Sequence, residues 1–171
     1  IINSSNSFND FKYFLLKQRN DYFSKYKNNE LILKYGIENI LIISSLVEKE
    51  AKNNTDKGKI VSVIFNRLNK KMKLQIDATV IYAITGGIND FDRKLTYEDL
   101  KIKHPFNTYF INKLPPSMIC YVSPTTIEIV LESVKSDFLF YFYNIIESKH
   151  IFSKTYNEHK NKLSEYRKKI K

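Results

Sequence analysis

The sequence predicts an α+β domain, mostly helical, with one small antiparallel β-hairpin. Three observations carry this. Apolar residues recur at helical spacing through several stretches, most of them opened by a capping residue. One aromatic run, "FLFYFYN", has strand character and is followed after a short connection by "KHIFS". No repeat or linker divides the 171 residues, so a single domain over 1–171 is expected.

"SFNDFKYFLLKQRNDYF" reads as the first helix. Ser7 caps it, and Phe8, Phe11, Tyr13, Phe14 and Leu15 form a broad apolar face. Gly36 breaks the pattern, and a second helix is expected from about Ile37 to Lys52. The third covers "TDKGKIVSVIFNRLNKKMK". Its stripe is Ile60, Ile64 and Leu68, with Val61, Phe65 and Met72 beside it. Asp56 near its start and Arg67, Lys70 and Lys71 near its end match the helix dipole. "DATVIYAITGG" predicts a short helix capped by Asp77 and stopped at Gly86-Gly87. "LTYEDLK" is a helical turn with Thr96 and Asp99 in capping-box spacing. Pro105, Pro115 and Pro116 confine "HPFNTYFINKLPP" to extended or loop structure. In "SPTTIEIVLESVK" Ser123 caps, Pro124 takes the first helical position, and Ile127, Val130, Leu131 and Val134 recur at helical spacing. "TYNEHKNKLSEYRKK" closes the chain as a helix, with Thr155 and Glu158 as a capping box.

The bulk chemistry narrows the function classes. A hydrophobic content of 43% suits a domain with a real core. The net charge of +10 fits a Lys-rich surface or an acidic partner such as nucleic acid, anionic lipid or cell wall. The basic residues are spread rather than clustered, and no nucleic-acid motif accompanies them. The single cysteine, Cys120, excludes an internal disulfide and a Cys-based zinc site; its apolar flanks suit a small core residue. No stretch of about 20 apolar residues is present to span a membrane. His104, His150 and His159 lack metal-type spacing and read as structural or surface groups. No phosphate loop, G-x-S-x-G elbow or zinc motif occurs, so neither metal nor cofactor is expected.

The stretch "LIISSLVEKEAKNN" carries two glutamates, Glu48 and Glu50. At about 100° per residue they face opposite ways on a helix. Glu50 falls with Ile43, Leu46 and Val47. Glu48 falls with Ser44, Ser45 and Lys52, and can pair with Lys52 at i+4. Glu48 therefore reads as a solvated surface group. For Glu50 two readings stay open: a carboxylate desolvated against the core, with the raised pKa a general acid needs, or a last helical turn projecting into water. Gln75, Asp77, Thr79 and Tyr82 sit among apolar neighbours in "LQIDATVIY", where capping by Asp77 and core packing by Tyr82 are the alternatives to a site. Asn107, Thr108 and Tyr109 lie in a non-helical segment suited either to ligand hydrogen bonding or to an Asx-type turn.

Four blocks, "SSLVEKEA", "VSVIFNRLNKKMKLQIDATVIY", "FNTYFINKLPP" and "HIFSKTYNEH", occur in this order. In order and spacing they resemble the MltG (YceG-like) endolytic murein transglycosylases, over roughly Ile37 to Lys162. The resemblance implies a lysozyme-like catalytic domain. It implies cleavage of nascent peptidoglycan between MurNAc and GlcNAc, leaving a 1,6-anhydro-MurNAc end. It assigns the acid to the second glutamate of "EKE", Glu50, and lines the sugar cleft with Gln75, Asp77, Thr79, Tyr82, Asn107 and Tyr109. It implies glycan strands as substrate, cell-wall synthesis proteins as further partners, no nucleic acid, and a location at the bacterial cytoplasmic (inner) membrane with the domain on its periplasmic or outer face. The family's membrane anchor and LysM-like region are absent from this chain, so any membrane link is expected through an N-terminal anchor outside it. Two departures stand out: "LPPSMICYVSP" lacks the glycines usual after the two prolines, and Ala78 stands where proline is common. A non-catalytic peptidoglycan-binding module and a hydrolytic muramidase are the alternative functions.

Overall fold

The computed structural model describes residues 7–51, 53–132 and 135–170. The chain divides into two compact units, Ile1–Ile37 and Glu38–Lys171. The observed elements, mostly helices with one two-stranded antiparallel sheet, agree with the expected α+β class.

In the first unit, helix α1 spans Phe8–Ser24. Ser7 and Asp10 cap it reciprocally, each side chain bonding the other's backbone N–H. The expected apolar face is mostly exposed: Phe8 and Tyr13 are 78% and 71% accessible, and Phe23 alone in α1 is buried. Helix α2 spans Glu30–Glu50 but is interrupted at Gly36, whose φ of 78° and ψ of 158° are open essentially to glycine only. The helix expected from Ile37 follows that break.

The second unit is built around the remainder of α2. Ile40, Ile43, Leu46 and Val47 are fully buried there, each stabilising the fold by roughly 1.5–3 kcal/mol. Ser44 and Ser45, expected on the polar side, are fully buried as well. Their hydroxyls donate to the Ile40 and Ile42 carbonyls at 2.8 and 2.7 Å. The Ile119 N–H in turn donates to the Ser45 hydroxyl at 3.1 Å. This helix is therefore enclosed on both sides, which a two-sided wheel does not anticipate.

Helix α3 spans Asn54–Asn69 and is capped by Asn53. Asp56, near the start of the helix as the dipole favours, is buried. Its Oδ2 accepts from the backbone N–H of His150 at 2.9 Å and lies 2.8 Å from that residue's Nδ1. Helix α4 spans Asp77–Thr85 and ends at Gly86, φ 64°. Its N-cap is Ile76, with no side-chain capping bond. Asp77 is thus the first helical residue and not the cap that was expected. Helix α5, Tyr97–Leu100, has the predicted Thr96–Asp99 box; Arg93 adds a two-pronged bond to Asp99 at 2.6 and 2.8 Å. Residues 102–123 contain no helix or strand, as the prolines require.

Helix α6, Pro124–Leu131, packs on α3 with Ile127, Val130 and Leu131 buried; Val134 lies outside the described residues. Strands β1, Phe140–Asn144, and β2, Lys149–Ser153, form the predicted antiparallel hairpin. In its register Tyr141 faces Phe152 and Tyr143 faces His150. Helix α7, Tyr156–Lys169, packs on both strands. Thr155 accepts from the Glu158 N–H, but the Glu158 carboxylate takes the Lys154 N–H and Lys162 Nζ rather than closing the box.

Candidate active site

Glu50 is the last residue of α2. Its carboxylate is half-buried, and Tyr141 on β1 donates its hydroxyl to Glu50 Oε2 at 2.7 Å. Desolvation pushes the carboxyl up to about 7; the Tyr141 hydrogen bond works against this and the nearby negative charge of Asp77 adds to it. Tyr141 itself is held well above the ordinary phenol range by burial and by the Glu50 charge. The Glu50 side chain thus turns inward onto Tyr141 rather than projecting into water from the last turn.

Glu48 differs from expectation. It is partly buried rather than solvated, with its side chain 26% exposed. Lys57 Nζ lies 3.3 Å from Glu48 Oε2, and the Ser123 hydroxyl donates to the same oxygen at 3.1 Å. Burial would raise its pKa, but the Thr126 and Ser123 hydroxyls and the Lys57 charge outweigh it and hold the carboxyl below its ordinary value. The expected partner Lys52 lies outside the described residues. Glu48 thus fastens the end of α2 to the starts of α3 and α6.

A cavity of about 350 Å³ opens on Glu50, lined among others by Arg67, Gln75, Asp77, Tyr109, Tyr141 and His150. Of the expected cleft residues, Gln75, Asp77 and Tyr109 meet here. Tyr109 donates its hydroxyl to Asp77 Oδ1 at 2.6 Å. Gln75 has a positive φ of 55°, and its N–H donates to the Thr108 carbonyl at 3.2 Å.

Thr79 and Asn107 are fully buried. The Thr79 hydroxyl donates to the Ile76 carbonyl at 2.6 Å and lies 2.8 Å from the Thr108 hydroxyl. Asn107 donates to the carbonyls of Leu100 and Ile102, and its Oδ1 accepts the Tyr109 N–H at 2.8 Å in an Asx-type turn. Both hold the backbone under the cavity and present no polar atom to it. Tyr82 lies against Phe106, ring centroids 4.6 Å apart, and lines a neighbouring cavity with Lys49 and Cys120.

Sequence reasoning missed Tyr141 and Arg67. Tyr141 was a strand residue only; its alternation with Tyr143 on one hairpin face was the available signal. Arg67, expected as a helix-end charge, is 7% exposed. Its Nε donates to the Leu139 carbonyl at 2.6 Å and its Nη1 to the Leu74 carbonyl at 2.7 Å. Of the histidines, His150 is buried against Asp56, which makes it structural, though its ring also lines the cavity. Cys120 is half-buried, donates to the Ser45 carbonyl at 3.3 Å, and burial pushes its thiol up. Among the described residues no three His, Cys, Asp or Glu side chains are grouped to hold a metal, and no helix is long and apolar enough to cross a membrane.

The profile of the YceG-like family matches residues 5–165. The chain belongs to the YceG-like family. The matched span contains every residue lining the Glu50 cavity. An endolytic murein transglycosylase of Bacillus subtilis is 38% identical over 152 residues, covering 89% of this chain and 41% of the relative. One of Streptococcus pneumoniae is 30% identical over 151 residues, covering 88% of this chain and 27% of the relative. The crystal structure of a YceG-like protein from Listeria monocytogenes superposes with a TM-score of 0.78 at 37% identity, covering 95% of this chain and 52% of that one. This YceG-like chain therefore spans about half or less of the length of each of these relatives.

Proposed function

We propose that this chain is the catalytic region of an endolytic lytic transglycosylase acting on peptidoglycan, with Glu50 as its acid and base. The observation that carries the reading is the Glu50 carboxyl, half-buried at a cavity and raised to about 7. Such a group is substantially protonated at neutral pH yet can give up its proton there, as a general acid must. The transglycosylase names of the Bacillus and Streptococcus relatives supply the substrate class.

The chemistry needs one carboxyl group. Glu50 gives its proton to the glycosidic oxygen as the bond from that oxygen to the MurNAc anomeric carbon breaks. The 6-hydroxyl of the same MurNAc attacks that carbon, and its proton passes to the Glu50 carboxylate. The acid is regenerated, a 1,6-anhydro ring closes and no water is consumed. Because the nucleophile is already on the sugar, most of the entropy of bringing it up is spent beforehand. Gln75, Asp77 and Tyr109 line the glycan cleft, and Thr79 and Asn107 support it from beneath. On this reading the domain works on the outer face of the bacterial cytoplasmic membrane, tethered through an anchor outside this chain.

One observation favours a second reading. Asp77 does not cap α4; it shares the cavity with Glu50, so a second carboxylate is available for a water-using muramidase. Digestion of purified sacculi with mass analysis separates the two. The expected product ends in anhydro-MurNAc, lighter by one water than a reducing end, and its release disappears in Glu50→Gln. A hydrated end would overturn the transglycosylase reading, and sacculus binding without any cleavage would leave a binding module.

A further inference from the structure

Two tyrosine–carboxylate pairs share the cavity. The Tyr141 hydroxyl donates to Glu50 Oε2 at 2.7 Å, and the Tyr109 hydroxyl donates to Asp77 Oδ1 at 2.6 Å. The pairs come from four places in the chain: Glu50 from the end of α2, Tyr141 from β1, Asp77 from the start of α4 and Tyr109 from the loop before α6. Both phenols are held above their ordinary range, first by burial and then by the carboxylates beside them. Both therefore keep their protons and remain donors.

This fixes the roles of the Glu50 oxygens. Oε2 is engaged as an acceptor, so Oε1 is the oxygen left to carry a proton. We propose that Tyr141 is a positioning residue that holds Glu50 with Oε1 as its proton-carrying atom, and that Asp77, itself held by Tyr109, is the anion that keeps the proton there. The inference rests on the acid role proposed above. When Oε1 gives its proton to the glycosidic oxygen, the resulting carboxylate accepts a stronger, charge-assisted bond from Tyr141. When the 6-hydroxyl proton returns to Oε1, the anion on Asp77 favours its retention. One partner assists departure and the other return.

Among the described residues, the remaining ionisable groups around the cavity are Arg67 on α3, Tyr143 on β1 and His150 on β2. Arg67 donates to the Leu139, Lys73 and Leu74 carbonyls. His150 Nδ1 is engaged with Asp56. Glu48, on the same helix as Glu50, is bound to Lys57 and Ser123. The Glu50 proton is therefore governed from two directions, by Tyr141 and by Asp77.

The test is a carboxyl NMR titration of Glu50 in the wild type, Tyr141→Phe and Asp77→Asn, read beside the pH profile of anhydro-muropeptide release. Asp77→Asn lowers the Glu50 midpoint, and Tyr141→Phe raises it, each by about half to one pH unit. The high-pH limb of the activity profile moves with the midpoint. Tyr141→Phe also slows turnover by about ten- to a hundredfold through loss of a bond to a charged group. A midpoint unmoved, or moved the opposite way, in either folded variant overturns the proposal. Asp77 is exposed, so Asp77→Asn decides the matter even if Tyr141→Phe does not fold. If Glu50→Gln retains full activity, the acid role falls, while the midpoints still report on the pairs. If Glu50→Gln is inactive and the midpoints stay fixed, the positioning role alone falls.

Discussion

Glu48 and Glu50 are the same residue type, two positions apart on one helix, yet their surroundings drive them in opposite directions. Around Glu48 stand a cation and two hydroxyls, from Lys57, Ser123 and Thr126, and the carboxyl is held below its ordinary value. Around Glu50 stand buried walls, one hydroxyl from Tyr141 and the anion of Asp77, and the carboxyl is raised to about 7. Both lose water. Burial alone does not make an acid; it does so where no cation or set of donors compensates the charged form. One turn-end of α2 thus carries a structural clamp on one side and a carboxyl raised toward neutrality on the other.

The largest effect expected from breaking this contrast is on turnover. Glu50→Gln lowers anhydro-muropeptide release by about a hundredfold or more, the usual contribution of a general acid, while Glu48→Gln stays within a few-fold of wild type. Equal losses in the two variants, measured on purified sacculi at matched folded concentration, would erase the distinction.

The second effect is on pH-dependent stability. The folded pKa of Glu50 is raised, so its contribution is fully present below about 4.5 and is lost as pH rises through about 7. The amount is about 3 kcal/mol at most. Urea unfolding across this window should reveal the loss in the wild type and its disappearance in Glu50→Gln. Glu48 has the opposite sign: its contribution is present above its unfolded pKa and is lost as pH falls through the depressed folded value. Glu48→Gln removes that acid-side loss.

Smaller effects test the clamp and the cavity floor. Glu48→Ala strips Lys57, itself 6% exposed, of its carboxylate and lowers unfolding free energy by about 1–2 kcal/mol. Thr79→Val removes the hydroxyl that bonds Ile76 and Thr108 and lowers it by about 1 kcal/mol. In the latter variant the Glu50 titration midpoint stays put, since Thr79 does not touch that carboxyl. Denaturant midpoints and the same NMR titration check both.

Much of the fold was legible because its signals are local. Ser7, Thr96, Ser123 and Thr155 cap helices three residues away, and the β1–β2 hairpin closes over a short connection. The site was legible only in part because its partners are distant. Tyr141 reaches Glu50 across 91 residues, and Ser123 reaches Glu48 across 75. A helical wheel gives the direction of a side chain relative to its own axis but not what waits there. It separated the two glutamates correctly. It misjudged Glu48 because α2 is enclosed on both sides, as the burial of Ser44 and Ser45 records. Asp77 was misread as a cap for a related reason: its position favoured capping, while its actual partner, Tyr109, is 32 residues away.

Arg67 carries a further consequence. One planar guanidinium joins the Leu139 carbonyl, two residues before Tyr141, to the Leu74 carbonyl, three residues before Asp77. The spacing between the two carboxylate pairs is therefore gauged by a single rigid fork anchored in α3. A lysine ammonium is a point donor on a flexible stem and cannot keep that span. Arg67 in this sense ties two walls of the cavity together from the core side.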